Sequence, residues 1–141
     1  MHPTDLISDF SPECLTHYAR FPIQFWLALD GDRPVGAATI VWDTPAIHRL
    51  DGRKDLAVLW DLRVHPDYRG RNFGRSLFEQ AARFAREMGL AQLKIETQNN
   101  NVAANRFYQA MGCRLGVFHR FAYAGIAGVE DEVMLLWYLA L

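Results

Sequence analysis

The residues best suited to chemistry form an arginine- and glycine-rich turn, R-G-R-N-F-G-R, from Arg69 to Arg75. Glycines at the start of a helix leave backbone N–H groups unpaired, and the helix dipole favours an anion beside them. The turn also carries three arginines, whose guanidinium groups pair well with phosphate oxygens. The turn therefore predicts an anion site, above all for phosphate. The alternative is a tight turn without a ligand, which the interleaved arginines disfavour.

A strand and a helix flank this turn. Leu56–Val64 is rich in strand-forming residues, and the strand ends before Pro66, which donates no backbone hydrogen bond. The range 73–88 repeats apolar residues with helical period, which predicts a helix that ends at Gly89. Its predicted inner face is Phe73, Leu77, Phe78, Ala81, Phe84, Ala85 and Met88. The spacings Glu79→Arg83 and Arg83→Glu87 predict ion pairs on its outer face.

The remaining segments predict an α+β domain with a mixed sheet and helices packed on it. The loop over 43–55 is either solvated or functional. A short helix is predicted to begin at Ser11. The predicted order of the other elements is strand 25–29, turn 30–33, strand 35–42, strand 56–64, helix 73–88, strand 93–97, helix 102–111, and strands 113–117 and 133–139.

The composition of the chain argues against several classes of function. The 141 residues fit a single domain, and 15 Lys and Arg against 16 Asp and Glu give a net charge of −1. This balance argues against a nucleic-acid partner. The sequence shows no signal segment or membrane-spanning run, so a cytoplasmic location is expected. Cys14 and Cys113 are expected to be buried free thiols, and the five scattered histidines predict no metal site.

Two motifs resemble the GNAT superfamily of acyl-CoA-dependent N-acyltransferases. L-R-V-H-P-D-Y-R-G-R-N-F-G-R-S-L is similar to the family pattern V-x-P-x-x-R-G-x-G-x-G-x-x-L. L-K-I-E-T-Q-N-N-N-V-A-A-N-R-F-Y-Q-A-M-G-C is similar to L-x-L-E-V-x-x-x-N-x-x-A-x-x-F-Y-x-x-x-G-F. The resemblance runs from about Phe25 to the C-terminus. A weaker similarity, carried partly by E-V-M-L-L-W-Y, points to the streptothricin acetyltransferase type.

The resemblance implies a mixed, mostly antiparallel sheet with a central splayed strand pair and flanking helices. It also implies acetyl-CoA as co-substrate, with its pantetheine arm beside Leu62, Arg63 and Val64. Asn101 matches the family asparagine that steadies this arm. The residues implied to hold the diphosphate are Arg69, Gly70, Arg71, Asn72, Phe73, Gly74 and Arg75.

By the same resemblance, an amine attacks the thioester directly and Tyr108 protonates the leaving thiolate. The candidate bases, acting directly or through water, are Asp61 and Glu96. Each has a structural alternative: Asp61 as a rim residue or partner of Arg63, Glu96 as a pairing residue, and Tyr108 as a core residue. Three tryptophans, Trp42, Trp60 and Trp137, are expected to be core rather than substrate contacts.

The sequence departs from the family in three places. Asn72 stands where glycine is usual, and asparagine is well able to adopt positive φ. The region before the first hairpin is short, so a second subunit, as in a homodimer, is one way to complete the acceptor wall. His119 stands near a position where the streptothricin type is expected to have an acidic residue.

The expected acceptor is a primary amine, on either a small molecule or a protein. A cationic acceptor is one interpretation of the acidic residues Asp43, Glu130, Asp131 and Glu132, and a solvated charge run is the other. The alternative function is a non-catalytic acyl-CoA-binding module or sensor. Its motivation is the short acceptor side.

Overall fold

The sheet dominates the architecture. The computed structural model describes residues 22–141. They form strands β1 (Ile23–Asp30), β2 (Arg33–Trp42), β3 (Leu56–Val64), β4 (Gln92–Gln98), β5 (Arg114–His119) and β6 (Met134–Ala140), and helices α1 (Phe73–Glu87) and α2 (Val102–Ala110). The predicted elements from residue 25 onward are all present, with boundaries shifted by one or two residues. The helix expected from Ser11 lies outside the described residues, and none of the described helices is long and apolar enough to cross a membrane.

The six strands form one sheet in the order β1-β2-β3-β4-β6-β5. Four neighbouring pairs are antiparallel, and β3 and β4 are parallel. Parallel neighbours need a crossover connection, which α1 supplies. The expected α+β class, with a mixed and mostly antiparallel sheet, is confirmed.

The main core lies between the sheet and the two helices. Its buried members are Ile40, Ala57, Leu59, Phe78, Ala81, Ala85, Leu90, Leu93, Ile95, Tyr108, Cys113 and Trp137. Gly36 lets α1 approach closely, because a Cβ there would lie 3.0 Å from both the Arg63 carbonyl oxygen and Leu77 Cδ1. A substitution with a larger side chain would therefore force the layers apart.

Two expectations about α1 were wrong. Met88 was expected on the inner face but is half-exposed, because α1 ends at Glu87 and Met88 forms its C-cap. The ion pair that forms on the outer face is Arg75–Glu79, one turn before the predicted pairs. Ala82, which is not part of the predicted inner face, is also buried.

The centre of the sheet opens where β3 and β4 separate. Their parallel pairing runs from Leu56↔Gln92 to Leu59↔Ile95 and goes no further. The register of β3 against β2 shifts at the same point, since Thr39 pairs with Asp61 and Ile40 with Leu59. Trp60 is therefore the extra residue of a β-bulge, which bends a strand and ends its regular pairing. The splayed strand pair expected from the resemblance is present.

Candidate active site

The turn over 69–75, called here the phosphate turn, has the backbone of an anion cradle. Gly70 and Asn72 both have positive φ, 77° and 65°. The expectation that Asn72 adopts this conformation is confirmed. Asn72 is the N-cap of α1, but its side chain makes no capping hydrogen bond, and its carbonyl oxygen accepts from Ser76 N at 3.0 Å. The N–H groups of residues 73–75 precede the first intrahelical bond and are therefore open to a ligand.

The charges around the phosphate turn also favour an anion. The first turn of α1 holds no acidic residue, although acidic side chains are the usual partners of a helix N-terminus. Arg71 lies over the Tyr68 ring at 5.1 Å, and Arg69 Nε donates to the Val64 carbonyl at 3.3 Å. These contacts fix the positions of two guanidinium groups of the phosphate turn.

The phosphate turn opens into a cavity of about 580 Å³, called here the helix-side cavity. Ten of the eleven residues predicted to hold acetyl-CoA line this cavity, and the eleventh, Arg71, does not. The cavity is lined by Leu62, Arg63, Val64, Tyr68, Arg69, Gly70, Asn72, Phe73, Gly74, Arg75, Asn101, Ala103, Ala104, Phe107, Tyr108 and Met111. It thus connects the start of α1, the end of β3 and the inner face of α2.

Asn101 and Tyr108 reach this cavity from the two ends of α2. Asn101 is the N-cap of α2, where its Oδ1 accepts from Ala104 N at 3.1 Å. Tyr108 is only 8% exposed. Burial raises the pKa of the Tyr108 phenol far above its usual range, and the nearby Cys113 and Asp61 raise it further. The phenol therefore keeps its proton at neutral pH.

The two candidate bases, Asp61 and Glu96, lie on different strands, β3 and β4. Asp61 lies next to the bulge and accepts from Arg63 Nε at 2.8 Å and 3.0 Å, so it is paired as the sequence alternative stated. Asp61 does not line the helix-side cavity. Glu96 lies across the β3–β4 gap on β4, in a different cavity.

This second cavity, of about 520 Å³, is called here the loop-side cavity. It is lined by Ala46, Ile47, His48, Arg49, Val58, Leu59, Trp60, Glu96 and Gln98. Side chains alternate along β4, and Ile95 lies in the core against the helices, so Glu96 and Gln98 project from the opposite face. The loop over 43–55 covers this face and is therefore part of a cavity wall.

Glu96 has hydrogen-bond partners on two different loops. Arg49 Nε donates to its Oε1, and Tyr123 Oη donates to its Oε2 at 3.0 Å. Gln98 Nε2 in turn donates to Tyr123 Oη at 3.0 Å. Burial raises the pKa of Tyr123, so this phenol remains a hydrogen-bond donor at neutral pH. Glu96 thus links the loop over 43–55 to the segment over 120–133 that contains Tyr123.

A buried lysine anchors the same loop. Lys94 is 2% exposed, and its Nζ donates to the Arg49 carbonyl oxygen and to Asp51 Oδ2, each at 2.6 Å. Leu50, between these partners, is fully buried and packs with Val58. The loop over 43–55 is thus fixed to β4 by its backbone as well as by the Arg49 side chain.

The expectations for the tryptophans and cysteines are confirmed in part. Trp60 is half-exposed and lines the loop-side cavity, so its expected core position was wrong, because the bulge turns it away from the core. Trp137 is in the core and Trp42 packs against it. Cys113 is a buried free thiol whose pKa burial raises to about 11, and Cys14 lies outside the described residues. His119 is exposed at the end of β5.

The acidic residues considered for a cationic acceptor, Asp43, Glu130, Asp131 and Glu132, do not line the loop-side cavity. Asp43 is exposed and does not line it. The other three line a separate cavity of about 340 Å³, in which Asn100 Nδ2 donates to Glu132 Oε1 at 3.0 Å. Sequence reasoning did not single out the cavity residues Ala103, Phe107 and Gln98. The helical spacing of α2 is the signal that could have found Phe107, because it places this residue on the same face as Tyr108.

Comparison with known proteins decides the family. The profile described as "Acetyltransferase (GNAT) family" matches residues 3–113. This chain belongs to the GNAT family. The resemblance seen in its two motifs is thereby confirmed, and the fold agrees with that of solved members described below.

The names of two curated relatives of this GNAT protein state different acceptors. Streptothricin acetyltransferase of Escherichia coli is 34% identical over 84 residues, which are 60% of this chain and 48% of the relative. The [ribosomal protein bS18]-alanine N-acetyltransferase of Escherichia coli (strain K12) is 31% identical over 81 residues, covering 57% and 55%. The chain thus spans about half the length of the curated relatives it matches.

Solved structures share the architecture. A Bacillus anthracis protein solved in complex with acetyl coenzyme A matches with a TM-score of 0.75 and 29% identity, covering 88% of this chain and 68% of that one. Nourseothricin acetyltransferase matches with a TM-score of 0.73 and 27% identity, covering 84% and 65%. These matches confirm the GNAT-like fold class.

Proposed function

We propose that this GNAT protein transfers the acetyl group of acetyl-CoA to a primary amine. One observation carries the proposal: open N–H groups of the phosphate turn lead into a cavity lined by Leu62–Val64, the part of β3 that lies beyond its pairing with β4, and by Tyr108. That arrangement suits a long ligand with a diphosphate at one end and a reactive group at the other. The family membership and the acetyl-CoA complex of the Bacillus anthracis protein support it.

The residues present fit acetyl-CoA. In the proposed complex, the N–H groups and arginines of the phosphate turn hold the diphosphate, and Leu62, Arg63 and Val64 run beside the pantetheine arm. Asn101 uses its Oδ1 for the helix cap, so its Nδ2 is the group left to bind the arm. When bound, acetyl-CoA supplies a thioester carbonyl that an amine can attack without an enzyme-bound acyl intermediate.

Three side chains are proposed to take part in proton transfer, one as general acid and two as candidate general bases. Tyr108 is proposed as the general acid, because burial keeps its phenol protonated until a thiolate leaves. Glu96 and Asp61 remain the proposed bases for the acceptor ammonium, through water. Their existing partners, Arg49 and Arg63, give both carboxylates fixed positions beside the gap, which suits a positioning role.

The acceptor would enter from the loop-side cavity, which meets the gap at Trp60 and Glu96. The short region before the first hairpin lies outside the described residues, so its contribution to the wall of the acceptor site stays a prediction.

The expected cytoplasmic location and homodimer also stay predictions. Sedimentation analysis would test the homodimer, for which β5 supplies an edge strand with exposed Leu115 and Phe118.

The test combines binding and turnover on the full chain. Calorimetry should show that acetyl-CoA binds much more tightly than S-acetylpantetheine, which lacks the diphosphate. Mass spectrometry should then detect acetylated products from a panel of primary amines. Equal binding of the two thioesters would contradict the proposed site. Tight acetyl-CoA binding without transfer to any amine would instead favour the acyl-CoA-binding module.

A further inference from the structure

The loop-side cavity pairs one cationic and one anionic side chain. Arg49 and Glu96 line it and are in contact with each other, so their charges sum to zero. Asp51 and Lys94 behind them form a second neutral pair. A cavity built for a polycation is expected to present an excess of carboxylates. This cavity presents no such excess among its described residues.

Arg49 has an unused hydrogen-bonding edge. Its Nε donates to Glu96, and its Nη1 and Nη2 have no hydrogen-bond partner among residues 22–141. The side chain is 40% exposed, so these groups can reach a ligand in the cavity. A guanidinium binds a carboxylate with two parallel N–H donors, which is the preferred use of such an edge.

The other lining residues are mostly apolar. Ile47, Val58, Leu59 and Trp60 line the same cavity, and Trp60 is half-exposed because of the bulge. These residues suit an apolar or aromatic group on the acceptor. The contact between Arg49 and Glu96 also requires the two charged groups of the acceptor to lie close together.

We infer that the acceptor amine carries a carboxylate close to its nitrogen, as in an α-amino acid with an apolar side chain. This inference rests on the proposed acetyl transfer. Arg49 Nη1 and Nη2 bind the acceptor carboxylate, the apolar residues contact its side chain, and Glu96 faces its ammonium group. Glu96 takes one proton from the ammonium through water, and the neutral nitrogen then attacks the thioester carbonyl. An N–C bond forms, the C–S bond breaks, the nitrogen releases its second proton to water, and the thiolate takes up a proton from Tyr108.

The test uses matched acceptors that differ only at the carboxylate. L-Leucine is compared with 3-methylbutylamine and L-leucinamide, and L-phenylalanine with 2-phenylethylamine and L-phenylalaninamide. We expect kcat/KM for the amino acids to exceed that for both analogues by about 10- to 100-fold, the range of a hydrogen-bonded charge pair. The amides are the stringent control, because their amines lose a proton more readily than those of the amino acids.

Variants connect this preference to Arg49. Arg49→Gln should remove most of the preference for the carboxylate, and Arg49→Lys should keep part of it. The loop should remain in place, since Lys94 binds the backbone carbonyl of Arg49 rather than its side chain. Arg53→Gln is the matched control, because Arg53 lies in the same loop but pairs with Asp55 outside the cavity.

Each outcome decides the inference. Analogues without the carboxylate that match or exceed the amino acids would overturn it while leaving acetyl transfer intact. An unchanged preference in Arg49→Gln would overturn the role of Arg49. Transfer to other primary amines but to none of these six acceptors would overturn this inference alone. Transfer to no primary amine at all, although acetyl-CoA binds, would overturn the proposed function as well.

Discussion

Tyr108 is the side chain on which the proposed proton transfer depends. It combines burial, a position in the helix-side cavity and a raised pKa. Tyr108→Phe removes only the hydroxyl, so the ring packing against Phe78 and Phe107 should be kept. We expect kcat to fall by about 10²- to 10⁴-fold, the usual contribution of a general acid, with the dissociation constant of acetyl-CoA nearly unchanged. Steady-state kinetics and calorimetry measure the two quantities.

A control and a pH profile separate this role from a structural one. Tyr138→Phe alters a tyrosine outside the helix-side cavity and should leave kcat unchanged. The raised pKa means that Tyr108 stays protonated as pH rises, so kcat of the wild type should not fall between neutral pH and about pH 10. Unchanged turnover in Tyr108→Phe would remove this residue from the mechanism.

The sequence predicted the residues of the helix-side cavity better than those of the loop-side cavity, for a physical reason. The phosphate turn depends on local features, namely glycines, arginines and a helix start, and Asn72 has the positive φ expected of it. The position of Trp60 depends on a register shift between β2 and β3, which no local pattern encodes. Arg49 reaches Glu96 across 47 residues of sequence, so its role could not be inferred from spacing.

The start of α1 is the first element whose role can be tested. A Cβ at Gly74 would lie 3.6 Å from Val64 Cγ2 and 3.7 Å from the Phe107 ring, in ordinary contact but inside the helix-side cavity. Gly74→Ala should therefore raise the free energy of unfolding by about 0.5–1 kcal/mol through helix propensity. The same Cβ should weaken acetyl-CoA binding roughly tenfold or more, by occupying space that the ligand needs. Urea denaturation and calorimetry measure these opposite effects.

Ser76→Ala is the matched control in the same turn of helix. Ser76 is exposed and does not line the cavity, so acetyl-CoA binding should be unchanged. If Gly74→Ala bound acetyl-CoA as tightly as the wild type, the start of α1 would not be the diphosphate site.

The loop over 43–55 is the second such element, and Lys94 is its anchor. Lys94→Met keeps the length of the buried side chain but removes the donor to the Arg49 carbonyl and Asp51. We expect the free energy of unfolding to fall by about 1–3 kcal/mol, because the Arg49 carbonyl and the Asp51 carboxylate both lose a charged donor. Lys54→Met, at an exposed position of the same loop, should change it little. Equal effects in the two variants would show that Lys94 is not an anchor.

At the scale of the whole molecule, the two cavities lie on either side of one opening in the sheet. The parallel pairing of β3 and β4 ends at Leu59↔Ile95, with the helix-side cavity on one face and the loop-side cavity on the other. The order of elements predicted the fold class, because a βαβ unit between antiparallel pairs has few alternatives. The shape of the opening could not be predicted, since it follows from the bulge and from contacts across the sheet.

A crystal structure of the full chain with coenzyme A tests the central claim most directly. We predict diphosphate oxygens within about 3 Å of backbone N–H groups of residues 70–75, the distance of a hydrogen bond. The pantetheine arm should follow the helix-side cavity and place the thiol at the β3–β4 gap, beside Tyr108. A diphosphate bound elsewhere, with no ligand atoms at the phosphate turn, would contradict the account.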